Sequence, residues 1–200
     1  MTTTRRATKS DRAQVTNTLA SAFARDPMFQ WVAGVEADVS IESRLRIFFG
    51  AMAKLVLGRD DHLVFTTDDG AGAAVWLPPN EWKMSTADMF RALPAMLRAF
   101  SSRTPRMIRA FTAVEEVHPT AEHYFLEAIG TKAGMQSKGV GTAVITPMLE
   151  RCDAEGMPAH LESSNLQNVP FYARHGFEVT GEIEVGKGAP TVTAMWRDPR

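Results

Sequence analysis

A mixed α/β fold, with one central sheet flanked by helices, is what this sequence predicts, and three features carry the prediction. Short apolar runs bounded by turn residues alternate with stretches of helical periodicity along the chain. Asp68-Asp69-Gly70 separates two of those runs and marks a β-hairpin. Farther on, the run Tyr124 to Ile129 feeds the segment Gln136-Ser137-Lys138-Gly139-Val140-Gly141-Thr142. That segment opens a helical pattern at Val140, Val144, Ile145, Met148 and Leu149.

Taken in order, Thr3 to Ala7 reads as a short first strand. Asp11 then caps a helix in which Val15, Leu19 and Phe23 recur every four residues, and Asp26-Pro27 closes it. A second helix is expected from about Ile41 to Leu57, with Gly58 as its stop. His62 to Thr66 and Ala73 to Leu77 form the hairpin strands, ended by Pro78-Pro79. Ser85 to Val117 reads as helical, interrupted near Pro94 and Pro105, so an extra helical section separates the third strand from the fourth. After the strand, loop and helix that run through Glu155, Gly156-Met157-Pro158 turns the chain into a strand at Ala159 to Ser163. A short helix near Val169 to His175 precedes strands at Phe177 to Val185 and Thr191 to Trp196. No repeat, low-complexity tract or long linker divides the chain, so residues 1–200 are expected to form a single domain.

Composition excludes several function classes. A hydrophobic content of 44% and a charged content of 22% describe an ordinary globule. The formal net charge of -1 gives no reason to expect nucleic acid or an anionic membrane as partner. Met1 to Arg6 lacks an apolar signal core, and Leu45 to Leu57 is broken by Arg46 and Lys54 and too short to span a bilayer. The single cysteine, Cys152, rules out an internal disulfide and a multi-cysteine zinc site. It follows Met148 by four on the apolar helix face, so it reads as core rather than as a nucleophile. The five histidines show no metal spacing, so no metal is expected, and His118 and His123 are placed at the surface or the edge of a site. A cytoplasmic location follows from these readings, and a homodimer is left open.

A strand feeding a glycine-bearing loop that opens a helix is an anion cradle. The first helical amides have no internal partner, the helix dipole adds positive potential, and glycine lets a phosphate approach the backbone. Gly134 to Gly139 supplies only half of a Walker loop, because Val140 and Gly141 stand where Lys and Ser/Thr are required. A dinucleotide fingerprint fails at its third position, occupied by Val144, although Glu162 lies at about the distance of a ribose contact.

Ile129-Gly130-Thr131, Gln136-x-x-Gly139-x-Gly141, Asn165, Asn168 and Phe171-Tyr172-x-x-x-Gly176-Phe177 follow one another in this order. Together they resemble the GNAT superfamily of acetyl-CoA-dependent N-acetyltransferases, nearest the branch containing puromycin N-acetyltransferase. The resemblance extends over most of the chain, including Asp11 to Pro27 and His62 to Pro78. Ser137 departs from the glycine that many relatives carry, at a position the motif leaves free. The resemblance implies a GNAT-like sheet, acetyl-CoA as co-substrate and direct acetyl transfer to the primary amine of a small molecule. It also leaves a protein lysine or N-terminus as acceptor, or a non-catalytic acyl-CoA-binding module.

It further implies roles for particular residues. Ile129, Gly130 and Thr131 would lie along the thioester and pantetheine; Ser137, Lys138, Gly139, Val140, Gly141 and Thr142 would hold the pyrophosphate, with Gln136 at the loop entrance. Asn168 would reach the cofactor from the start of its helix, and Asn165 is either a second contact or a simple cap. Tyr172 matches the tyrosine that faces the thioester sulfur; a phenol with a pKa near ~10 stays protonated and can donate. The residues alone favour a packing tyrosine, and the resemblance reverses that order. Glu127 lies two residues before Ile129, so strand alternation would set both on one face, and it is the first candidate for general base. His123, Glu162 or water remain as alternatives, with Glu162 sharing a strand face with His160. Met84, Met89, Phe90, Met96, Phe100, Met107 and Phe111 read first as core, but could line an acceptor pocket with Asp26, Phe29 and Trp31.

Overall fold

The computed structural model describes residues 3–34, 39–59 and 61–200; Met1 and Thr2 of the amino-terminal stretch lie outside them. Strand β1 (Thr4–Arg6) is followed by α1 (Arg12–Phe23), α2 (Pro27–Ala33) and α3 (Val39–Val56). The hairpin strands are β2 (Leu63–Thr67) and β3 (Gly72–Leu77), and α4 (Thr86–Phe100) and α5 (Thr104–Val117) form the extra helical section. Then come β4 (Tyr124–Thr131), α6 (Val140–Glu155), β5 (Ala159–Ser163), α7 (Val169–Arg174), β6 (Glu178–Ile183) and β7 (Val192–Arg197).

The strands make one seven-stranded sheet in the order β1-β2-β3-β4-β5-β7-β6. Only β4 and β5 pair in parallel, because α6 carries the chain back between them; the other neighbours are antiparallel. One apolar cluster gathers α1, α3, α4 and α5 on one face through Leu19, Phe49, Phe100 and Met107. A second lies beneath α6 and α7 on the other face, around Trp76, Leu126, Ile145 and Phe177. Among the described residues no helix is long and apolar enough to cross a membrane.

Three local expectations are corrected. Asp26-Pro27 does not close a helix into a loop but starts α2: Asp26 accepts from the amides of Met28 and Phe29, and Pro27 takes a first-turn position, where its missing N–H costs nothing. Pro94 lies inside a continuous α4, and the break falls at residues 101–103, with Pro105 starting α5. Asp11 stands at the N-cap of α1 without capping it; its carboxylate is taken by the Arg5 guanidinium and the Thr8 amide.

Two irregularities around β4 shape the rest of the molecule. Pairing with β5 covers only Tyr124 to Leu126, so from Glu127 onward the edge of β4 facing β5 has no ladder partner. On the other side, Val75 pairs with Ala128 and Trp76 with Leu126, leaving Glu127 as the extra residue of a β-bulge.

Candidate active site

The opened edge of β4 borders three connecting spaces. The first, about 610 Å³, is a groove over the N-terminus of α6, lined by Ile129 to Thr131, the glycine loop, Asn168, Tyr172 and two arginines, Arg25 and Arg174. The second is a throat of about 80 Å³, which shares Ile129, Asn168 and Tyr172 with the groove. The third is a cavity of about 200 Å³, which shares Glu127, Ala128, Glu162 and Ser164 with the throat.

The groove suits an anion. Gly139 precedes α6 with φ 79°, and the helix has no side-chain cap. Its first amides are therefore left for a ligand, whereas Asp26 caps α2 and Ser85 caps α4. Beside Gly139 the space for a Cβ is open, so the loop backbone faces the groove directly. Gln136 acts on the loop itself: its Oε1 accepts from the Gly134 amide at 2.9 Å and its Nε2 donates to the Thr131 carbonyl at 3.4 Å. Lys138 turns away, its Nζ 3.7 Å from Met135 Sδ, while Ser137, Gly139, Val140, Gly141 and Thr142 line the groove. Gly130 serves packing, since a Cβ there would stand 2.5 Å from that of Ala22 on α1. Asn168 lines both groove and throat; Asn165 lines the groove as well and also caps, accepting from the Gln167 amide. Open loop amides, two arginines and a groove of this size fit the pyrophosphate of acetyl-CoA.

Tyr172 is buried in the α6-side cluster and lines both groove and throat. Burial, and then the Asp26 charge, push its phenol well above the ordinary value, so it stays protonated. Asp26 is itself buried, its carboxyl raised by desolvation against hydrogen bonds from Ser164 at 2.6 Å and from the amides of Phe29 and Met28. Cys152 is buried and its thiol is pushed up to about 12 by desolvation, which leaves it no nucleophilic character.

The bulge overturns the expected pairing of Glu127 with Ile129 on one face. Ile129 packs toward the α6-side cluster, whereas Glu127, with Phe125 and Ala128, opens into the cavity. The Glu127 side chain is exposed to the cavity's open space, although protein surrounds that space on its other sides. Desolvation, followed by the charges of Glu162 and Glu115, pushes the carboxyl up to about 7. The cavity wall includes Phe29, Phe48, Phe111, Met84, Met89 and Met107, with Trp82 and Glu115 added. Phe90 is 69% exposed, Met96 and Phe100 belong to the core, and Trp31 lies under the Arg106 guanidinium rather than in the cavity. Among the lining residues there is no lysine or arginine.

The sequence could not show how the histidines gather. His118, His123 and His160 are all buried, and only His118 lines the cavity. The Glu162 Oε1 sits 2.9 Å from His118 Nδ1 and 2.8 Å from His160 Nε2, as the shared face of Glu162 and His160 predicts. His118 Nε2 lies 3.0 Å from His123 Nε2, and His123 Nδ1 lies 2.6 Å from the Ala121 carbonyl oxygen. Burial would raise the Glu162 carboxyl, but the two histidine hydrogen bonds outweigh it and hold the group low.

The model of the acetyltransferase (GNAT) family matches residues 75–177. An uncharacterised N-acetyltransferase of Schizosaccharomyces pombe is 26% identical over 186 residues, spanning 86% of this chain and 73% of that protein. A Corynebacterium glutamicum structure described as histone acetyltransferase HPA2 and related acetyltransferase aligns over 100% of this chain and 98% of its own, at TM-score 0.70 and 22% identity. Arylalkylamine N-acetyltransferase 2 from Aedes aegypti aligns at TM-score 0.62 and 10% identity over 98% of both chains. At these identities the two structures speak for the fold alone.

Proposed function

The chain belongs to the GNAT acetyltransferase family and is an acyltransferase, and on that premise we propose that it acetylates the primary amine of a small, largely apolar molecule. The observation that carries this reading is the continuity of groove, throat and cavity, with Tyr172 and Glu127 both at the throat. We read residues 1–200 as one such domain.

Enzymes of this family use acetyl-CoA as co-substrate, and it supplies the acetyl group as a thioester. Val140, Gly141 and Thr142 would bind its phosphates through their amides, with Arg25 and Arg174 adding charge and Gln136 holding the loop in shape. The unpaired edge of β4 from Glu127 to Thr131 offers backbone groups to the pantetheine and the thioester carbonyl. An amine that enters as an ammonium brings three N–H protons, and the amide product keeps one. Glu127 takes the first as general base, with an affinity matched to neutral pH. Tyr172 holds a proton for the departing sulfur and regains one from the amine nitrogen once the C–N bond has formed. One proton leaves per turnover.

A cavity of about 200 Å³ walled by Phe and Met side chains favours a small, largely apolar acceptor over a protein lysine or N-terminus, and a protonated Tyr172 beside the cofactor groove favours catalysis over sensing. A puromycin-like acceptor, aromatic and amine-bearing, suits the Phe and Met wall; that finer reading rests on the motif resemblance. Free-thiol release from acetyl-CoA across a panel of amines tests the proposal. Turnover of arylalkylamines or aliphatic amines, lost in Tyr172→Phe with acetyl-CoA binding kept, is the expected result. Binding without turnover of any amine would leave a sensor.

A further inference from the structure

The hydrogen-bond contacts of two buried histidines, His118 and His123, call for more protons than two neutral rings carry. Along the chain Ala121 O, His123, His118 and Glu162, both ends are acceptors in their ionised or carbonyl forms. The His123 Nδ1 contact to a carbonyl requires a proton on nitrogen. The contact between the two Nε2 atoms requires one more, and the contact between His118 Nδ1 and Glu162 a third. Three protons therefore lie along a chain whose two rings carry one each when neutral.

The third proton belongs to His118 rather than to Glu162, for three reasons. Imidazole is the stronger base by about two units. The Glu162 Oε1 also accepts from His160 Nε2, which favours the carboxylate. Giving His160 the opposite tautomer would bury an orphan N–H at Nδ1, a position that has no partner. Finally, Trp82 stacks on the His118 ring with centroids 3.9 Å apart and planes at 22°, a face that favours a cation. Desolvation lowers the proton affinity of His123, which again leaves the charge on His118.

We infer that Glu162, held as a permanent carboxylate by an imidazolium at His118 and by the His160 N–H, is the anion that binds the acceptor's ammonium, leaving Glu127 as the base. Both hydrogen bonds fall on Oε1, so Oε2 is left to the cavity and throat that Glu162 lines. The charged or titratable groups around Glu162 are His118 and Glu115 from α5 and its end, Glu127 from β4, His160 from β5 and Tyr172 of α7 in the throat, with His123 behind His118. Two carboxylates of one cavity are thus set apart by environment: one stays charged, and the other exchanges a proton near neutrality. The division deepens the acetyltransferase reading and rests on it only for the amine; the protonation of His118 stands by itself.

The experiment has two arms. In the free protein, nitrogen-15 NMR of the imidazoles at pH 8 should show one ring, His118, protonated at both nitrogens, and Glu162→Gln should remove that signal. In steady-state kinetics with phenethylamine, Glu162→Gln should raise the amine KM about 10-fold to 100-fold, the worth of a charge-assisted hydrogen bond. It should also move the acid limb of the kcat profile to lower pH, because the charge that raises Glu127 is gone, with acetyl-CoA Kd unchanged. His118→Asn keeps a donor near Glu162 without the charge, and should reproduce part of the KM increase. A neutral His118 at pH 8 in the unsubstituted protein overturns the inference without any variant having to fold. An unchanged amine KM and acid limb in a folded Glu162→Gln protein overturns it as well. If no amine is acetylated, the proposed activity falls and the NMR arm alone decides the protonation of His118.

Discussion

The groove and the cavity lie on either side of Tyr172 and Glu127 and are built by opposite means. The groove is made of backbone: open amides of a glycine loop, an unpaired strand edge and two exposed arginines. The cavity is made of side chains: a Phe and Met wall carrying Glu115, Glu127 and Glu162, with no lysine or arginine. One region is prepared for an anion and the other for a cation with an apolar body. Under the proposed function the reaction would take place where they meet, so each substrate would be sorted by charge before chemistry begins.

The largest expected effect breaks the groove alone. Gly139→Asp places a Cβ at φ 79° and a carboxylate beside the phosphates. Strain and repulsion of about 1–2 kcal/mol each should weaken acetyl-CoA binding about 100-fold or more in calorimetric titration, with circular dichroism unchanged. Normal binding would mean that the loop is not the phosphate site. Next, Tyr172→Phe should lower kcat about 100-fold to 1000-fold while the Kd for acetyl-CoA stays within about twofold, because it removes a proton donor and not a binding group.

Glu127→Gln probes the cavity. Turnover of the parent enzyme should rise with pH through about 7 and level off above it, because only the ionised carboxylate accepts a proton. The variant should lose about 100-fold in kcat together with that acid limb. The stability sign runs the other way. The folded carboxyl is raised from 4.5 to about 7, so above pH 4.5 the unfolded chain ionises more readily and the native state loses stability as pH rises. The variant should therefore melt higher than the parent at pH 8 and at about the same temperature at pH 4. A base that costs no stability would show no such difference. The smallest effect belongs to the wall: Phe111→Ala should raise the KM of an aromatic amine about 5-fold to 10-fold and leave acetyl-CoA binding untouched.

The readings that rest on local residue patterns correspond closely to the structure. Strand β5 runs over Ala159–Ser163 as predicted, and the hairpin turns at Gly70. The glycine loop was legible for the same reason, since a helix N-terminus and its glycines are neighbours in sequence. Glu127 was named as the base candidate on an alternation that the bulge removes, because a bulge is set by the partner strand and leaves no mark in the strand's own period. Asp26-Pro27 carries its own signal, a capping residue before a first-turn proline, and that signal competes with the same pair's use as a stop for the preceding helix.

The sequence by itself determined the order of strands and helices and the glycine turn that opens α6, since propensity, turn chemistry and capping act over a few residues; Tyr172 stood out only through the motif resemblance. Tertiary structure alone brought the acids and histidines together. His118, His123, His160 and Glu162 come from α5's end, β4's approach and β5, up to 44 residues apart. The lowered Glu162 carboxyl and the lowered His123 follow from burial and from these neighbours, which exist only once the chain has closed around them.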